Sequence, residues 1–72
     1  MTEDDETLVE FRVSNEFAFV DVALQKFGNG ERLMVRSHSR NTSILLDPVV
    51  LEVLSSLTPP DLEALVARDL DR

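Results

Sequence analysis

A chain of 72 residues with a net charge of −7, no cysteine and a single histidine rules out more than it specifies. It is long enough for one domain but buries only about 60–65% of its unfolded surface; it has no disulfides or thiolate ligands, and one histidine cannot build a zinc site. The acidic balance opposes phosphate backbones, so a nucleic-acid partner is not expected. The remaining support for so small a core is another protein surface.

Residues 1–6, with Glu3, Asp4, Asp5 and Glu6 in a row, read as a disordered solubilising tail, because adjacent acids repel and bury nothing. Residues 7–72 read as a single α+β domain. The start is acidic where a secretion signal needs a basic region. No apolar run approaches the roughly 20 residues of a membrane span. A cytoplasmic protein with no membrane and no metal partner is the expectation.

From Leu8 the apolar residues recur every second position. In "VEFRV", Val9, Phe11 and Val13 point one way and Glu10 and Arg12 the other, the pattern of a half-buried strand. "SNE" is a turn. "FAFVDVALQKF" predicts a second strand from Phe17, with Phe17, Phe19, Asp21, Ala23 and Gln25 on one side and Ala18, Val20, Val22 and Leu24 on the other. Asn29-Gly30 favours the positive φ values of a tight hairpin turn, and Gly28 adds a second permissive position. "RLMVRSH" follows as a third strand, with Leu33 and Val35 opposite in sense to Arg32, Met34, Arg36 and His38. "SRNT" turns the chain, and "SILL" is a short fourth strand.

The period then becomes helical. Asp47 is placed to cap a helix with Pro48 at its first position, and Val50, Val53, Leu54 and Leu57 make its stripe. Thr58 and Asp61 form a capping box for a second helix with a stripe of Leu62, Leu65, Val66 and Leu70. Four strands joined by short turns predict an antiparallel meander, and two helices after it predict a cover on one face, a two-layer α+β fold.

That arrangement has a consequence for assembly. With Val9, Phe11, Val20, Val22, Leu33, Val35, Ile44 and Leu46 turned to the helices, Phe17, Phe19, Met34 and Leu45 are left on the far face. An apolar patch of that kind is one that monomers avoid. It predicts a homodimer, or a partner protein, on the Phe17, Phe19, Met34 and Leu45 surface with Arg32 and Arg36 beside it. The competing arrangement is a strongly curled sheet with both faces in one barrel-like core.

Candidate chemistry is sparse. His38 lies between Ser37 and Ser39, but neighbours on a strand point to opposite sides, and no orienting carboxylate is evident from the sequence. Arg32 and Arg36 share a face and offer forks for a carboxylate or phosphate; they also suit a solvated face paired with Glu10 or Asp21. "GNG" lacks the spacing of a phosphate or dinucleotide loop and leads into a strand. No catalytic, cofactor-binding or metal-ligating residue is assigned.

Three motifs in order, Asn15-Glu16-Phe17-Ala18, Gly28-Asn29-Gly30-Glu31-Arg32-Leu33, and Leu46-Asp47-Pro48 with Leu51-Glu52, resemble a family of small bacterial proteins of unknown function, some labelled dihydrodiol dehydrogenase. The resemblance spans roughly residues 9–60. Where members carry an aromatic soon after the third motif, this chain has Leu54-Ser55-Ser56. Hydride transfer needs a glycine-rich strand-to-helix turn for its nicotinamide cofactor, which the sequence lacks. The expectation is therefore an accessory or protein-interaction domain without catalysis. The alternatives are a small-anion or small-ligand binder or enzyme subunit using the Arg32/Arg36 face, and a transcriptional regulator built on the two helices.

Overall fold

The structure, a computed structural model, describes residues 7–70; the acidic tail expected at residues 1–6 lies outside them. Four strands, β1 (Thr7–Ser14), β2 (Phe19–Phe27), β3 (Gly30–Ser37) and β4 (Thr42–Leu46), are followed by α1 (Pro48–Leu54) and α2 (Pro59–Leu70). The strands form one antiparallel sheet in the order β1-β2-β3-β4. The predicted α+β meander followed by two helices is the fold observed.

Cross-strand pairing fixes the register. Val22 stands between Phe11 and Val35, Leu24 between Val9 and Leu33, and Lys26 opposite Glu31. The turn that closes this hairpin is Gly28-Asn29, with Phe27 paired to Gly30. Gly28 takes φ +59, while Asn29 is not among the residues with positive φ. This is the pattern of a two-residue turn with glycine first. It lies one residue before the predicted Asn29-Gly30 turn. Centring the loop on Asn29-Gly30 would set Lys26 against Leu33 and Val22 against Ser37. Side-chain pairing selects the other register, and Gly28 supplies the conformation it needs.

The β1–β2 connection corrects a second expectation. Asn15 Oδ1 accepts hydrogen bonds from the backbone N–H of Phe17 (2.8 Å) and Ala18 (2.9 Å), and Asn15 N–H donates to the Ala18 carbonyl. This side-chain turn takes Phe17 out of the strand. Phe17 sits on the loop, 84% exposed, not on the sheet face with Phe19. At the other end, Leu8 interrupts the pairing between Thr7 and Val9, a bulge on the edge strand.

The helix signals are realised locally. Asp47 Oδ1 accepts from the Val50 N–H at 2.9 Å, with Pro48 at the first position. Ser55 and Ser56 hydroxyls bond back to the carbonyls of Glu52 and Val53, and α1 ends at Leu54, short of the predicted Leu57. Asp61 Oδ2 accepts from the Thr58 N–H and hydroxyl, both at 2.9 Å. Those two donors hold Asp61 below the ordinary carboxylate value.

The packing is where the chain departs from expectation. Close backbone packing is between adjacent strands; neither helix makes a comparable contact with the sheet or with the other helix, and no residue of either helix is buried. Of the apolar face expected to lie under the helices, Val22 alone is buried, while Phe11 is 50% and Ile44 56% exposed. The expected close packing of the helices over this face is therefore not seen, and Val50 of α1 instead borders a hollow with Phe27, Arg32 and Leu45.

Candidate functional site: the two faces of the sheet

Alternation gives the sheet two chemically different sides. One, here called the valine face, carries Val9, Phe11, Val13, Val20, Val22, Leu24, Leu33, Val35, Ile44 and Leu46, with Lys26 and Glu31 paired at the hairpin end. The other, the charged face, carries Glu10, Arg12, Asp21, Ala23, Gln25, Arg32, Met34 and Arg36, with Phe19, Phe27 and Leu45.

On the charged face Arg12, Asp21 and His38 are bonded to one another, and Arg32 is bonded to Gln25. Arg12 Nε donates to Asp21 Oδ1 at 2.8 Å, and His38 Nε2 lies 2.6 Å from Asp21 Oδ2. Register explains the meeting: Arg12 is directly opposite Asp21 on β1, and Arg36 is opposite it on β3, so the loop residue His38 lies just beyond the strand end. The Arg12 guanidinium, and after it His38, hold the Asp21 carboxyl below its ordinary value. Asp21 in turn raises Arg12. Phe19 completes the cluster. The Arg12 guanidinium carbon lies 4.2 Å from the centre of its ring, and the His38 ring stacks at 6.0 Å with an interplanar angle of 27°.

Sequence reasoning found no carboxylate for His38; the structure corrects this with Asp21, 17 residues earlier in the chain. The pair has the acid–imidazole geometry that orients a histidine base. Among the described residues no hydroxyl is hydrogen-bonded to the imidazole; Ser37 Oγ lies 3.5 Å from Ser39 Oγ and accepts from the Arg40 N–H. Arg12 and Phe19, which flank the pair, were not singled out as polar-site residues. The hairpin register was the signal that could have placed them.

Arg32 and Arg36, predicted as one cationic surface, go to different surroundings. Arg32 donates to Gln25 Oε1 at 3.2 Å and lies over Phe27, 4.3 Å from the ring centre. It borders a hollow of about 210 Å³ with Leu45, Asp47 and Val50. Arg36 lies near Met34 Sδ at 3.8 Å. It borders a separate polar hollow of about 110 Å³ with Ser37, His38, Asn41, Thr42 and Ser43. Met34 is half-buried, paired with Ala23 on one side and Leu45 on the other. Ala23, 1% exposed, marks the most covered point of this face. Thus Phe19, Met34, Leu45, Arg32 and Arg36 do share a face, as expected, and Phe17 does not.

Beyond the sheet, Arg40 in the β3–β4 loop makes a two-pronged ion pair with Asp69 near the end of α2, at 2.9 and 2.7 Å, which raises Arg40. This pair ties the last turn of the helix to the sheet. Among the described residues, no group of three or more acidic or histidine side chains is placed to hold a metal, and no helix is long and apolar enough to cross a membrane. Comparison with family models, with curated proteins and with solved structures finds no match for this chain.

Proposed function

We propose that this chain is a small cytoplasmic accessory domain that acts by protein–protein contact, as a homodimer, without catalytic chemistry of its own. One observation carries the reading. Apolar side chains on both the sheet and the helices stay open to water, from Val9, Phe11, Val13 and Ile44 to Leu62, Val66 and Leu70. A 72-residue chain without cross-links has no surplus stability to spend on exposing them. Burying each such side chain is worth roughly 1.5–3 kcal/mol, so association is favoured well before any specific polar contact is counted. The Arg12–Asp21–His38 cluster is bonded within the chain, which is consistent with this reading. Light scattering of the full chain at micromolar concentration tests this. Twice the chain mass of 8.1 kDa is expected, and a strict monomer would remove the homodimer.

A second reading has its own observation, the polar hollow between Arg36 and His38. Its guanidinium, imidazole and hydroxyl lining suits a small oxyanion. Titration with inorganic phosphate, followed through the Arg36 and His38 resonances, should shift both under this reading. Unchanged spectra would end it.

A further inference from the structure

The interaction reading does not say which surface meets which partner. Three surfaces compete: the charged face around Phe19, the outward strip of α2, and the valine face. The charged face bonds the Arg12–Asp21–His38 cluster and the Arg32–Gln25 pair within the chain, though Phe27 and Leu45 on it stay open to water. The α2 strip of Leu62, Val66 and Leu70 borders a wide, shallow apolar hollow, one helix across. The valine face runs across all four strands. Phe11, Val22 and Val35 form its central cross-strand row, with Ile44 continuing the row on β4.

From this we infer that the valine face is the contact between two copies of the chain, sheet against sheet, with Phe11 at its centre; the inference rests on the homodimer reading. Two physical facts support a second copy as occupant. The face is apolar throughout its middle, and a two-fold axis sets such a surface against its like without mismatch. Lys26 and Glu31 stand opposite each other at its hairpin end, so this corner brings no net charge against a copy even though the chain as a whole carries −7.

Sedimentation equilibrium of the full chain and four single variants tests the assignment. Phe11→Asp and Ile44→Lys each place a charge on the valine face. Val66→Asp does so on the α2 strip and Phe19→Asp on the charged face. The two valine-face variants should raise the dimer dissociation constant by at least about tenfold, and the other two should leave it within about threefold. Circular dichroism accompanies each; if Phe11→Asp fails to fold, Ile44→Lys decides, since that side chain is already 56% exposed in one chain and its replacement should leave the subunit folded. A wild-type chain that is monomeric overturns both the inference and the reading beneath it. A wild-type dimer that survives the valine-face changes but separates on Val66→Asp or Phe19→Asp overturns the inference alone.

Discussion

The two faces of this sheet are built from alternate residues of the same strands, yet they solve opposite problems. On the charged face, β1, β2 and β3 contribute groups that a neighbour answers: Arg12 to Asp21, Arg32 to Gln25, and His38 returning from the loop to Asp21. On the valine face there is nothing to answer, and the need is to be covered. Hydrogen bonds and ion pairs can be completed inside a thin single layer, because they act between neighbours on that layer. Hydrophobic burial cannot, because it requires a second layer. In one chain the helices do not supply that layer, and much of the valine face stays open to water.

The sharpest way to break this contrast is at Val22, the one buried residue of the valine face. Val22→Asp would set a carboxylate between Phe11 and Val35, with the Lys26 of that face four residues along β2 and set opposite Glu31. An unpaired buried charge costs about 3–5 kcal/mol, comparable with the whole stability of so small a domain. Loss of the strand signal in circular dichroism at neutral pH is the expected result. A variant that folds with an unchanged melting temperature would mean that the valine face is more solvated than its exposure indicates.

The hairpin that aligns the two faces offers a smaller and cleaner test. Gly28 holds φ +59 and Gly30 does not; a β-carbon at either position meets nothing within 4 Å. Gly28→Ala therefore carries a backbone cost of about 1–2 kcal/mol without any clash, and Gly30→Ala should be nearly neutral. Chemical denaturation of the two variants separates them. A larger cost at Gly30 than at Gly28 would place the turn at Asn29-Gly30 after all, and with it a different set of residues opposite one another. Next in size, Asp47→Ala removes the cap that accepts from the Val50 N–H and should cost about 1 kcal/mol, read as lost helical ellipticity with the sheet intact. If α1 were firmly packed on the sheet, that change would instead lower the melting of both elements together.

Much of this was legible in the residues. "VEFRV" gave its alternation, Asp47-Pro48 its cap and Thr58 to Asp61 its box, because each is a local rule enforced within four or five residues. Phe17 was misplaced by a local rule that competed with another: alternation extends the strand to it, but the Asn15 side chain captures the two N–H groups that the strand would have used. His38 and Asp21 could not be joined by local rules at all. Their meeting depends on the register of the β2–β3 hairpin, which cross-strand pairs decide over a span of 17 residues. With either placement of the two-residue turn, counting back from it brings His38 opposite Phe19 or Asp21, so the signal was present but non-local. The incomplete cover had no signal of any kind. Periodicity tells which face of an element is apolar; it does not tell what lies against it.

The smallest predicted effect sharpens the contrast from the polar side. Asp21 is held below the ordinary carboxylate value by Arg12 and then by His38, and Asp61 by the Thr58 donors. A carboxyl depressed in the folded state binds fewer protons there than in the unfolded chain, so its contribution is complete above the unfolded value, about pH 4. It is lost as pH falls through the lower folded value. Stability should thus decline on acidification below about pH 4. Asp21→Asn should flatten that decline in part, with Asp61→Asn accounting for a separate share. Added salt should weaken the Asp21 share, since an exposed pair is screened, while leaving an apolar contact through Phe11 standing. Denaturation curves at neutral and acidic pH, with and without salt, measure both. If Asp21→Asn keeps the full acid sensitivity of the parent chain, the charged face is not the self-sufficient network its hydrogen bonds describe, and the division of labour between the two faces fails on the side that looked complete.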